Sequence, residues 1–208
     1  MLDFTLEDLS AEDVERLRTV YGPLTESVRA LIDATIRSEA DADAVAAAKA
    51  QIDGATATLR RQQLDGPFGV RFTTQGDRMP WGNAVIGLRN PIAPPLAVRR
   101  NADGSVFADV VLGAAYEGPP GHVHGGVAAL LLDHVLGESA SPATSPRLTG
   151  TISIRYLRPT RLGARLHIEA AVVRTEGVKA FAAGLISDAD GPTVQAEGVF
   201  IRPKWARG

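Results

Sequence analysis

The second half of the chain shows the two-residue alternation and the β-branched runs that predict strands. Val106, Ala108 and Val110 lie on one face of a predicted strand over residues 105–112. Glycines separate the last runs of the chain, which predicts hairpin turns and an antiparallel meander. These further strands are predicted at residues 148–157, 165–175, 179–187 and 193–202.

An apolar run between the first two predicted strands has the spacing of a helix. Its stripe recurs every three or four residues, which predicts a buried helix that ends near Leu136 or Gly137. The members of the stripe are Val127, Leu130, Leu131, His134 and Val135. Asp133 lies inside this run, and a buried carboxylate is costly unless it has a partner or a role. The alternative is a structural carboxylate that caps a neighbouring loop.

The first 64 residues predict three helices. Ser10 precedes an acidic residue by three positions, which is typical of a helix start. Gly22 and Pro23 predict an interruption, with Pro23 in the first turn of a second helix. An alanine-rich third helix is predicted over residues 43–59. The second helix carries an apolar stripe that we expect to be buried, formed by Leu24, Val28, Leu31 and Ile32.

The order of these elements predicts an α+β protein with one central helix against an antiparallel sheet. Residues 65–83 are rich in glycine, proline and threonine and predict a loop. We therefore divide the chain into a helical N-terminal extension, residues 1–64, and one domain, residues 65–208. Two roles stay open for the extension. It either narrows access to a pocket in the domain or acts as a stabilising cap.

Composition bounds the possible functions. The chain has 208 residues, of which 45% are hydrophobic and 22% charged, as in ordinary globular proteins. Its net charge of −2, with a mildly basic last third, does not favour nucleic acid as a partner. There is no cysteine, which excludes disulfides and a thiol nucleophile. No apolar stretch reaches membrane-spanning length, and the acidic N-terminus does not resemble a signal peptide, so we expect a cytoplasmic protein.

A glycine- and proline-rich loop leads directly into the central helix, ending in His124, Gly125 and Gly126. If the helix begins here, the amides of both glycines lie at its positive end and point at whatever binds there. A carboxylate and free amide donors are what hydrolysis of a thioester requires. The alternative is a plain tight turn before a helix.

Three segments together resemble the hotdog-fold acyl-CoA thioesterases. The resemblance is to the branch that includes the phenylacetate-pathway thioesterases and the mitochondrial long-chain acyl-CoA thioesterases, and it spans roughly residues 84–203. The segments are EGPPGHVHGGVAALLLD, TGTISIRYLRPTRLGARL and EGVKAFAAGLISDADGPTVQAEGVFI. The resemblance implies an antiparallel sheet wrapped around one helix, a hydrolase that converts an acyl-CoA to free acid and coenzyme A, and no cofactor.

The resemblance also implies roles for individual residues. The amide of Gly125 donates to the thioester carbonyl, and Asp133 activates water or attacks directly. Thr149 helps to hold the water, and His124 lies beside the carbonyl site. An ordinary strand threonine is the alternative for Thr149.

Substrate binding and metal binding are separate questions. We assign Gly126 to substrate binding, and Arg155 and Arg158 are candidates for contact with the phosphates of coenzyme A. The alternative for both arginines is a solvated surface charge. His122, His124 and His134, with Asp133, invite a metal hypothesis, but no third ligand has reliable spacing, so we predict no metal.

The spacing of two of these residues predicts an assembly. Gly125 and Asp133 are eight positions apart, which is ~12 Å along one helix, so both cannot reach one thioester carbon. Two antiparallel copies of the helix bring them together, which predicts a homodimer with shared sites. The resemblance implies such a dimer, often doubled to a tetramer. Two other functions stay open: an acyl-CoA-binding protein without hydrolysis, and a hotdog hydratase or dehydratase.

Overall fold

The computed structural model describes residues 4–142 and 145–206. The chain divides into two compact units, Met1–Ile92 and Ala93–Gly208. The predicted boundary after residue 64 stays a prediction, since compactness alone does not establish which segment folds as a domain. Within the described ranges, no helix is long and apolar enough to cross a membrane. The cytoplasmic location also stays a prediction.

The N-terminal unit contains two long helices and a small sheet. Strand β1 is parallel to β2, and β2 is antiparallel to β3. The elements are β1 (Phe4–Glu7), α1 (Ala11–Arg37), α2 (Ala42–Arg60), β2 (Val70–Thr73) and β3 (Arg78–Met79). Strands β2 and β3 fall in the segment predicted to be a loop, so that prediction is wrong. Strand β2 pairs with β1, which lies more than sixty residues earlier in the chain, and β3 has only two residues, so local composition carries little signal.

Helix α1 begins as predicted but does not break where predicted. Ser10 caps it through a reciprocal capping box with Asp13. The helix runs through Pro23 without interruption, so the predicted second helix is the second half of α1. Proline removes one helical hydrogen bond and usually kinks a helix. Here the turns before it are anchored, because Val14 packs into a cluster with Met79 and Trp81.

The predicted burial of the N-terminal helices is partly wrong. On α1, Leu24 and Leu31 are exposed, whereas Thr25 is buried and Val28 and Ile32 are half-buried. The buried side of the helix is therefore rotated by about one residue from the predicted stripe. The third predicted helix is confirmed as α2, and none of its residues, all of which the structure describes, is buried.

The C-terminal unit is a six-stranded antiparallel sheet with one long helix. Its strand order is β4-β5-β7-β8-β9-β6. The elements are β4 (Arg99–Arg100), β5 (Val106–Val111), α3 (Gly125–Ala140), β6 (Leu148–Tyr156), β7 (Arg165–Glu176), β8 (Lys179–Asp188) and β9 (Gly191–Ile201). Gly177 and Gly191 occupy the hairpin turns with φ of 55° and 106°, a region that favours glycine. The predicted α+β arrangement of one helix and an antiparallel sheet is confirmed.

The predicted meander covers only β7, β8 and β9. Strand β6 pairs with β9 and lies at the far edge of the sheet, although β7 follows it in sequence. Strand β5 instead pairs with β7, and its predicted inner face, Val106, Ala108 and Val110, is buried as expected.

Helix α3 packs on the sheet with a face that differs from the predicted stripe. Its fully buried side chains include Ala128, Leu131, Leu132, Val135 and Leu136. Leu130, by contrast, is 38% exposed. The helix is apolar on nearly every side, so periodicity fixes its existence but not its rotation. The least buried side of α3 carries Gly126, Leu130, Asp133 and Gly137, none of which is buried.

Candidate active site

Asp133 and Thr149 lie against each other on α3 and β6. The Thr149 hydroxyl donates to Asp133 Oδ1 over 2.9 Å. Strand β6 changes register between Thr149 and Thr151, which leaves Gly150 as a bulge residue. The bulge lets Thr149 face α3 while the rest of the strand keeps its own alternation. Sequence analysis assigned both residues to the candidate site, and the structure shows a hydrogen bond between them.

The N-terminus of α3 is capped by His124. Its Nδ1 accepts a hydrogen bond from the Gly126 amide over 2.9 Å. Its carbonyl accepts from the amides of Val127 and Ala128. The Gly125 amide has no partner among the residues that the structure describes. Of the two amide donors expected from the sequence, Gly126 is therefore engaged and Gly125 is available to a ligand.

The hydrogen bond from the Gly126 amide also fixes the tautomer of His124. Because Nδ1 accepts a hydrogen bond, the proton of the neutral imidazole lies on Nε2. His124 is thus a positioning group for the helix start as well as a neighbour of the Gly125 amide.

The loop before α3 is held tightly by its own backbone. Gly118 donates to the carbonyl of His122 over 2.9 Å, and Gly121 donates to the Glu117 carboxylate over 2.7 Å. A Cβ at Gly118 would lie 2.6 Å from the Cα of His124, closer than real contacts allow. Only glycine therefore fits at 118 without moving the cap residue. This requirement is invisible in the sequence, where the glycine reads as an ordinary turn residue.

Tyr156 is a site residue that the sequence did not reveal. Its hydroxyl donates to the carbonyl of Gly125 over 2.9 Å, and a Cβ at Gly125 would lie 3.3 Å from its ring. The tyrosine therefore fixes the peptide that follows the free amide. Simple alternation puts Thr149 and Tyr156 on opposite faces of a strand, and only the bulge at Gly150 brings both to the helix.

Arg158 is occupied by a structural interaction. Its Nη1 donates to Asp188 Oδ2 over 2.9 Å, its Nη2 also contacts that carboxylate, and its Nε donates to the carbonyl of Pro192 over 3.2 Å. The guanidinium holds the pKa of Asp188 at about 2, below its usual 3.8. Arg158 therefore ties the β8–β9 turn to the end of β6.

Arg155 has a different environment. It is exposed, and no ion-pair partner for it is present in the described part of the chain. Its cross-strand neighbour is Gln195, and the adjacent pair, Ile154 and Ala196, lies on the helix side of the sheet. Arg155 therefore lies on the opposite face from Asp133. Within one chain, neither arginine is brought to the start of α3.

The histidines considered as metal ligands are dispersed. His122 Nδ1 lies 2.8 Å from the carbonyl of Pro120, and His134 Nε2 lies 3.9 Å from Glu138 Oε1. Over residues 4–142 and 145–206, no three His, Asp or Glu side chains form a group that could hold a metal ion.

Similarity to known proteins establishes the class of protein. The family model of the Thioesterase superfamily matches residues 120–195. The crystal structure of protein RHA08564, a thioesterase superfamily protein, is 33% identical, covers 87% of this chain and 94% of its own, and superposes with a TM-score of 0.76. The chain belongs to the thioesterase superfamily, and its C-terminal unit has the hotdog fold.

Two further relatives are similar over shorter stretches. Acyl-coenzyme A thioesterase THEM4 of Xenopus laevis is 32% identical over 85 residues, which are 41% of this chain and 38% of the relative. The chain thus aligns with well under half of that curated relative. The crystal structure of zebra fish thioesterase superfamily member 2 is 20% identical, covers 52% of this chain and 81% of its own, and has a TM-score of 0.48.

Proposed function

We propose that this protein hydrolyses an acyl-CoA thioester to the free acid and coenzyme A. The observation that carries the proposal is the Asp133 carboxylate, held by Thr149 on the helix whose start presents the unengaged Gly125 amide. The identity to an acyl-coenzyme A thioesterase of Xenopus laevis supports coenzyme A as the thiol part of the substrate.

Each group has a role in the chemistry. The Gly125 amide donates to the thioester oxygen and stabilises the negative charge that develops there. Asp133 either takes a proton from water as the water attacks the carbonyl carbon, or attacks that carbon itself to form an anhydride that water then opens. The carbon–sulfur bond breaks, and the thiolate of coenzyme A leaves and is protonated. Thr149 keeps the carboxylate oriented, and His124 and Tyr156 keep the helix start in place.

One chain does not complete this site. Gly125 and Asp133 lie eight residues apart on α3, a separation of ~12 Å along the helix. The least buried side of α3 leaves room for a second helix, because it carries two glycines, Leu130 and Asp133, none of them buried. Strand β6 has an unpaired outer edge within the described residues.

These features support a homodimer in which two α3 helices lie antiparallel and two β6 edges meet. Gly125 of one chain then faces Asp133 of the other, so a two-fold symmetric dimer has two equivalent sites. Doubling of this dimer to a tetramer would need a second two-fold interface on another surface. The Arg155 side chain lies away from α3 in its own chain. It could therefore contact the phosphates of coenzyme A only at a site formed in the dimer.

The test is a panel of acyl-CoA substrates that varies in chain length and aromatic character, with release of free thiol as the signal. The protein has no cysteine, so a thiol reagent reports only released coenzyme A. We expect release with at least one substrate, and a loss of at least ~10²-fold in kcat for Asp133→Asn, which keeps the shape and removes the charge. Tight binding of acyl-CoA with no thiol release would instead establish the alternative, a binding protein without hydrolysis.

A further inference from the structure

Helix α2 is a long helix whose apolar side chains are exposed. All 19 of its residues are described, and none is buried. Its three large aliphatic side chains are open to solvent, with Val45 53%, Ile52 38% and Leu59 51% exposed. In proteins, helices gain most of their stability from packing of one apolar face. Such a face left open calls for a partner.

The apolar positions of α2 are arranged symmetrically. Counted from Ile52, Val45 and Leu59 lie seven residues away on either side, and the small side chains Ala48 and Thr56 lie four residues away. At ~100° per residue, all five fall within a stripe about 80° wide on one side of the helix. A rotation of 180° about an axis through Ile52 superposes the pattern on itself. A stripe of this kind matches a second, antiparallel copy of itself.

The charges at the two ends of α2 select the same direction. Asp41 caps its N-terminus and Asp43 lies in its first turn, whereas Arg60 and Arg61 lie at its C-terminal end. In an antiparallel pair, each acidic end lies beside a basic end and the helix dipoles oppose each other. In a parallel pair, like charges lie together at both ends, which is unfavourable.

We propose that α2 packs antiparallel against α2 of a second copy of this chain, with a two-fold axis through Ile52. Val45 of one chain then meets Leu59 of the other, and Ala48 meets Thr56. The stripe from Val45 to Leu59 is ~21 Å long, which is short for an interface that is stable by itself. The α2 contact therefore forms between chains that another interface already holds together. That interface raises the local concentration of one α2 helix around the other.

The proposal is tested by cross-linking single cysteines in the full chain, which has none of its own. Ile52→Cys places a thiol on the two-fold axis. Ala50→Cys is the matched control, because it lies two residues away on the opposite side of the same helix. With a short bis-maleimide, we expect Ile52→Cys to form a covalent dimer at least about tenfold faster than Ala50→Cys. Equal rates at the two positions would overturn the proposal.

The direction of packing is tested with a second pair of variants. In the antiparallel arrangement, two copies of position 45 lie ~21 Å apart along the axis. Val45→Cys alone and Leu59→Cys alone should then react no faster than the Ala50→Cys control, whereas the two variants co-expressed should give a mixed covalent dimer. Rapid dimer formation by Val45→Cys alone would show parallel packing and overturn the proposal. This test uses no catalytic readout, so it stands or falls separately from the proposed hydrolysis.

Discussion

Removal of the Thr149 hydroxyl is the sharpest test of how the site works. Thr149→Val keeps the shape of the side chain and deletes the 2.9 Å hydrogen bond to Asp133. Hydrogen bonds to charged groups contribute about 1.5–3 kcal/mol, but water replaces part of this one because Thr149 is exposed and Asp133 half-buried. We therefore expect a cost of ~1–2 kcal/mol in the transition state, which lowers kcat by about 5- to 30-fold.

The assay is thiol release under saturating acyl-CoA, measured for four chains: wild type, Thr149→Val, Asp133→Asn and the double variant. If Thr149 acts only by orienting Asp133, the threonine substitution has no further effect once the carboxylate is gone. Thr151→Val is the matched control, since Thr151 is an exposed threonine on the other side of the bulge in the same strand. An unchanged kcat in Thr149→Val, or an equal loss in the Asp133→Asn background, would refute this account of the pair.

Three further predictions concern other contacts of the C-terminal unit. Tyr156→Phe removes the bond to the Gly125 carbonyl, which should lower kcat by about two- to tenfold at similar thermal stability, measured by thiol release and melting temperature. Co-expression of Gly125→Pro and Asp133→Asn chains should restore activity absent from either variant alone, because mixed dimers keep one intact site; no recovery despite verified mixed dimers would contradict shared sites. Arg158 lowers the pKa of Asp188 to about 2 from 3.8, so its stabilisation is present above pH 3.8 and lost towards 2. The stability difference between wild type and Asp188→Asn, measured by denaturant unfolding, should shrink over that range; a constant difference would argue against the ion pair.

Much of the C-terminal unit was predictable because its signals are local. Alternation located the strands, and glycines marked the two hairpin turns at positions 177 and 191. The pairing of β6 with β9 was not predictable, since either edge of the meander offers the same hydrogen-bonding groups. The strands of the N-terminal unit were missed because β1 and β2 are separated by more than sixty residues, and short strands leave little pattern.

The residues of the candidate site were also predictable only in part. The motif and the family resemblance singled out Asp133, Thr149 and Gly125, and the structure adds the bond between the first two. Tyr156 was missed because a one-residue bulge reverses the alternation of β6 between it and Thr149. Continuity across a strand is the assumption on which sequence patterns depend, and a bulge breaks it without a sequence signature of its own.

The cost of a glycine inside α3 supports the proposed dimer. Glycine inside a helix costs about 1 kcal/mol relative to alanine, and Gly137 lies well inside α3. A Cβ there would make an ordinary 3.5 Å contact with Phe200, so packing within the chain does not demand glycine. Gly137 shares with Gly126 and Asp133 the least buried side of α3. Small residues on that side let a second helix approach closely, and the proposed dimer needs such an approach to bring the Gly125 amide of one chain to Asp133 of the other. Glycine at 137 thus lowers the stability of α3 itself, on the side where the proposed chemistry requires a neighbouring chain.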